Sequence, residues 1–176
     1  MGAGFDPLAA LRLLADRGVR YVLIGGYAGN LRGSELLTGD LDICYARDEE
    51  NLVRLAEALE QVHATLRGRD VPPDLPFQLD VRTLRAGDTF TFDTDVGPLD
   101  ILGTPSGTGG FVDLDVAAST VEVEDVAVRV ASLDDLMRMK RASARPKDLL
   151  HLEHLAALRE EIEELRSRGE DPQQGT

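Results

Sequence analysis

The chain has a single cysteine, no stretch approaching the ~20 apolar residues of a membrane span, and few basic residues for its length. Each shortage excludes something. Cys44 cannot close an internal disulfide, and its apolar neighbours suit a small buried thiol, so a reducing, cytoplasmic setting follows most simply. The opening MGAGFDPLAALRLLADRG carries acidic residues and no long apolar run, so it does not read as a signal peptide. Asp6 stands where a myristoylation signal needs Ser or Thr, and no membrane partner is expected. With 19 Lys and Arg against 32 Asp and Glu, the net charge of −13 weakens any general attraction to phosphate backbones or anionic lipid. That charge argues against a passive nucleic-acid coat, whereas a local basic cleft or a bound cation would still admit a polyanionic substrate.

What is present fits one domain. At 176 residues and 43% hydrophobic, the chain can bury one sizeable core, expected over residues 1–168, with the polar GEDPQQGT of residues 169–176 as a disordered tail. Asp6-Pro7 caps a helix carrying Leu8, Leu11 and Leu14, which Gly18 ends. RYVLIGG and DLDICYA read as buried strands joined by a short helix, and Asp48, Glu49 and Glu50 open an amphipathic helix with Leu52, Leu55, Ala56, Leu59, Val62 and Leu66 on one face. The three prolines between Pro72 and Pro76 mark a loop, a candidate lid or substrate edge. TFTFDTD and VGPLDILG suggest a hairpin turning at Gly97-Pro98, and STVEVEDVAVRVASL gives one or two further strands near an edge of a mixed sheet. Ser132 and Asp135 form a capping box for one helix, and Pro146 opens the last.

Three D-x-D triplets occur, Asp40/Asp42, Asp93/Asp95 and Asp113/Asp115, so the triplet alone has little meaning in so acidic a chain. In a strand, residues i and i+2 project from one face, and two converging carboxylates either repel or hold a cation. The first triplet differs in what precedes it: the strand YVLI, then Gly25-Gly26, then thirteen residues able to form a short helix. Glycines leading from a strand into a helix can present backbone N–H groups to a phosphate chain, while aspartates on the neighbouring strand hold Mg²⁺ against the same phosphates. The Gly-Gly of GTGGFVDLDV lies too close to its triplet for that arrangement and is expected to serve a turn.

The pattern of Gly25, Gly26, Asp40 and Asp42 resembles the nucleotidyltransferase superfamily typified by DNA polymerase β and the minimal nucleotidyltransferases. That resemblance implies an α/β (α+β) fold with a mixed central sheet, flanking helices and a C-terminal helical pair. It also implies a third carboxylate on a later central strand, which Asp100 in GPLDILG supplies. Lys140, Arg145, Lys147 and Asp148 match a K-x-x-x-x-R-x-K-D element of small bacterial nucleotidyltransferase-like proteins, some of them toxins or antitoxins. The implied chemistry is Mg²⁺-dependent transfer of a nucleoside monophosphate from an NTP to an acceptor hydroxyl on a tRNA end, a protein or a small molecule. Asp40, Asp42 and Asp100 would be catalytic and hold two Mg²⁺ ions, and Gly25, Gly26, Thr38, Lys140 and Lys147 would meet the nucleotide. Relatives often read R-x-T-x-D before the first aspartate, whereas this chain reads Leu36-Leu37-Thr38-Gly39-Asp40, leaving Arg32 as the nearest substitute cation. That departure keeps open a module of the same fold that binds a partner, as an antitoxin or regulatory subunit, with little catalysis. Lys140, Arg145 and Lys147 read equally well as ordinary helix-end cations, and Lys147-Asp148 as a structural ion pair. His151 and His154 share a helix face without further ligands and are set aside as a metal site.

Overall fold

In the computed structural model, residues 4–68 and 77–169 are described; the proline-rich segment at 72–76 and the tail beyond Gly169 lie outside them. Asp6 accepts the Ala9 amide at 3.0 Å, and α1 (Pro7–Asp16) buries Leu11 and Leu14 before the chain reverses at Gly18. It enters β1 (Tyr21–Ile24), whose four residues are all buried. A seven-residue α2 (Gly25–Leu31) and a loop lead to β2 (Leu41–Tyr45), and Asp48 caps α3 (Glu49–Gln61). Asn51, fully buried, fixes α3 to the sheet: its amide nitrogen donates to Ala46 O and Arg20 O at 2.7 and 3.0 Å, and its oxygen accepts the Arg20 amide at 2.6 Å. The helix is shorter than its apolar face implies. His63 turns left-handed (φ 49°), so Leu66 belongs to a two-residue strand, β3 (Thr65–Leu66), and not to α3.

After α4 (Val81–Ala86), capped by Asp80, β4 (Thr89–Asp93) and β5 (Leu99–Leu102) form the expected hairpin. Past the glycine-rich GTPSGTGG the chain enters a further helix. FVDLDVA is a helix, α5 (Phe111–Ala117), so Asp113 and Asp115 lie on a helix and pair with Arg138 and Arg129 at 2.8 Å each. The edge hairpin β6 (Ser119–Val123) and β7 (Val126–Val130) follows. The described strands make one sheet in the order β3-β4-β5-β2-β1-β7-β6, mixed because β2–β5 and β1–β7 are parallel and the other pairs antiparallel.

Helices α6 (Leu133–Ser143) and α7 (Pro146–Ser167) complete the chain, with Ser132 accepting the Asp135 amide as expected. A buried knot holds their junction. Asp148, with no exposed side-chain surface, accepts from Lys140 Nζ (2.8 Å), Ser143 Oγ (2.6 Å) and Arg145 Nε (2.9 Å). Its partner is therefore Lys140 rather than the adjacent Lys147. Burial opposes ionisation of Asp148, but the hydrogen bonds from Lys140, Ser143 and Arg145 outweigh it and hold the carboxyl well below the usual carboxylate range. Such a group contributes stability above its unfolded pKa of about 4, and that contribution is lost as pH falls through the folded value. Asp148→Ala, which strands the buried end of Lys140, is expected to cost about 3–5 kcal/mol at pH 7, a fall of about 10 °C in Tm. Thermal melts at pH 7 and pH 3 check this, because the gap from wild type should narrow in acid.

Candidate active site

Strand register lines up the acids. Ile24 pairs with Asp42, Asp42 with Asp100 and Asp100 with Thr91, so one row crosses β1, β2, β5 and β4. Directly paired residues share a face, and Asp40, two residues before Asp42, projects to the same side. Three carboxylates thus lie on one face of the sheet, near the end of β1 and the start of β2 and β5. Thr38 Oγ1 lies 3.1 Å from Asp40 Oδ1 and 3.2 Å from Asp40 O, which ties the preceding loop to the row.

The glycine pair is demanded by close approach. Gly25 has φ 71°, and a Cβ there would stand 2.1 Å from Asp42 Oδ2; a Cβ on Gly26 would stand 2.8 Å from Thr38 Oγ1. Asp42 and Thr38 therefore pack directly over the glycines. Asp42 makes no ion pair among the described residues, and burial, with the Asp40 and Asp100 charges adding, pushes its pKa up to about 7. Burial also raises Asp100, against the pull of Arg67, whose Nη2 donates to Asp100 Oδ1 at 2.9 Å.

A cavity of about 330 Å³ opens over the row. Asp40, Asp42, Asp100, Gly25, Gly26 and Thr38 line one side, and Lys140, Arg145, Lys147 and His151 from α6, α7 and their junction line the other. The two sides differ in charge. Lys140 is committed to Asp148, whereas Lys147 is exposed and makes no ion pair among the described residues, so it is the cation best able to meet a ligand. Arg32 does not join the site. Its Nε and Nη2 donate to Ala131 O (3.0 Å) and Val130 O (2.7 Å), carbonyls at the end of β7, and this commitment removes it as a substitute phosphate contact. His154 is exposed and outside the cavity, but His151 lines it, with burial, Lys140 and Lys147 lowering its pKa. Helical spacing put both histidines on one face, and only the packing of α7 separates them. Arg67 was not foreseen either: it lies 33 residues before its partner, and no local pattern links the two.

The donors suit a hard cation. All three are carboxylates, with no thiol or imidazole among them, and Asp42 is a shielded carboxylate with no ion pair among the described residues. Among the described residues, however, no three His, Cys, Asp or Glu side chains gather closely enough to hold a metal ion, and Arg67 stands on the third carboxylate. The fit is thus two acids directly, with Asp100 next to them in register. Because the folded pKa of Asp42 exceeds its unfolded value of about 4, the associated stability is present below pH 4 and lost as pH rises through 7. With EDTA present, Asp42→Asn is expected to melt with wild type near pH 4 and about 5 °C or more above it at pH 8. Mg²⁺ should narrow the gap at pH 8 by stabilising wild type.

No protein-family model matches the chain, and no curated protein matches its sequence. Solved structures do match. The lincosamide antibiotic adenylyltransferase LnuA, lincomycin-bound, superposes with a TM-score of 0.59 at 15% identity, covering 88% of this chain and 99% of LnuA. A putative nucleotidyltransferase from Thermotoga maritima matches with a TM-score of 0.50 at 19% identity, covering 92% of this chain and 97% of that one. The antibiotic-resistance factor ANT(2'')-Ia gives a TM-score of 0.51 at 15% identity, covering 92% and 88%. With its mixed sheet, its flanking helices and the register that sets Asp42 beside Asp100, the chain has the nucleotidyltransferase fold.

Proposed function

We propose that this protein transfers a nucleoside monophosphate from an NTP to a hydroxyl group of a small molecule. One observation carries the reading: Asp42 and Asp100, side by side in register, and Asp40 line one cavity together with the glycine pair and the cations Lys140, Arg145 and Lys147. A nucleoside triphosphate has the matching polarity. Its terminal phosphates would lie toward Lys147, and its α-phosphate toward the acids. Asp40 and Asp42, with Asp100 as third donor, would hold Mg²⁺, which neutralises phosphate charge and lowers the pKa of a hydroxyl beside it. Asp100, its basicity raised by burial, would take the acceptor proton as the acceptor oxygen bonds the α-phosphorus and the bond to the β-phosphate breaks, releasing pyrophosphate.

A small acceptor is favoured over tRNA by the cavity volume of about 330 Å³ and by the net charge of −13, which offers few cations to an extended phosphate backbone. LnuA, an antibiotic adenylyltransferase with lincomycin bound, is consistent with that choice. A second reading, a module that binds nucleotide or a partner protein such as a cognate toxin without turnover, is supported by the Arg67 contact on Asp100 and by the absence of Arg32 from the cavity.

The test is transfer of label from α-labelled NTPs with Mg²⁺ to a panel of small hydroxyl compounds and to tRNA. Asp42→Asn and Asp100→Asn should each reduce transfer by about a hundredfold or more while the protein stays folded. Transfer that persists in both variants rules the reading out, and an NTP-induced rise in Tm without transfer selects the binding module. The two lysines separate in the same assay. Lys147→Ala should lower kcat/KM about tenfold with Tm nearly unchanged, whereas Lys140→Ala should lower Tm by leaving Asp148 buried without its cation.

A further inference from the structure

Arg67 has no part in the transfer reaction as described, yet it holds one of the acids. It follows β3, its backbone amide donates to Thr91 O at 2.8 Å, and its guanidinium reaches past β4 to Asp100, with Nη2 2.9 Å from Oδ1. On the other side, Nε lies 3.8 Å from Asp93 Oδ1. The two acids differ in exposure: the Asp93 side chain is 63% exposed and that of Asp100 is 22% exposed. Arg67 therefore stands between an inner carboxylate that belongs to the row and an outer one that does not.

This placement has an electrostatic consequence. A guanidinium on Asp100 neutralises it and repels a second cation approaching the same oxygens. Asp40 and Asp42 carry no such partner among the described residues, and no three acids are gathered there. We propose that Arg67 is a positioning residue that withholds Asp100 from a divalent cation. In the resting protein the cation meets Asp40 and Asp42 alone, and Asp100 joins when the guanidinium shifts its contact to Asp93. The inference rests on the proposed metal-phosphate site and adds to it the group that regulates the third donor.

Mn²⁺ titrated calorimetrically into the nucleotide-free protein tests it without reference to activity. Arg67→Met should bind Mn²⁺ about tenfold or more tightly than wild type, because the competing cation is gone, and Arg67→Lys, which keeps the charge, should stay near wild type. Asp93→Asn, which removes the alternative partner, should bind more weakly, and this variant carries the test if Arg67→Met does not fold. Affinity in Arg67→Met equal to or below that of wild type overturns the inference, as does tighter binding by Asp93→Asn. Asp42→Asn separates the two levels. If wild type binds Mn²⁺ and Asp42→Asn does not, the metal site stands whatever Arg67 does; if neither wild type nor Arg67→Met binds, the site and the inference fall together.

Discussion

The structure turns on a like-charge problem: Asp42 is a mostly shielded carboxylate near Asp40 and Asp100, and it makes no ion pair among the described residues. Hydrogen-bonded strands dictate this crowding. Asp42 cannot leave the row without breaking the register of β2 with both β1 and β5, the central pairings of the sheet. Gly25 accommodates the same constraint from below, since its left-handed backbone and missing side chain are what leave room for Asp42 Oδ2. The raised pKa of Asp42 is the cost of that placement, and a divalent cation is the ligand that would remove it.

Charge on the facing side is organised differently. Asp148 gathers Lys140, Ser143 and Arg145 into a buried knot that fixes how α7 leaves α6, and so sets where Lys147 and His151 stand relative to the acids. The K-x-x-x-x-R-x-K-D element thereby divides its labour. Lys140 and Asp148 serve architecture, and Lys147 is left for a ligand. A buried ion pair of this kind contributes less to net stability than to the choice of a single geometry, and here that geometry is one wall of the cavity.

Much of the fold was readable because it rests on local signals. Asp6-Pro7, Asp48 and Ser132 start helices through side-chain oxygens that accept nearby amides, an interaction spanning three residues. The buried run YVLI and the alternating TFTFD announced strands by their periodicity. A D-x-D triplet carries no secondary structure of its own, and that of FVDLDVA lies on a helix with its acids paired to Arg138 and Arg129. Leu66 continued the apolar spacing of α3, but the left-handed turn at His63 is invisible to hydrophobic periodicity.

The acids, the glycine pair and their order are legible along the chain, because strand alternation places Asp40 and Asp42 on one side and a glycine pair after a buried strand marks a close approach. Where each cation points depends instead on packing between distant segments. Arg32 turned to the carbonyls ending β7, Lys140 to Asp148, and Arg67 to Asp100, each through a contact between segments brought together by the sheet or by helix packing. Long, flexible cationic side chains take the nearest unsatisfied oxygen in space, and nothing in their sequence neighbourhood says which oxygen that will be.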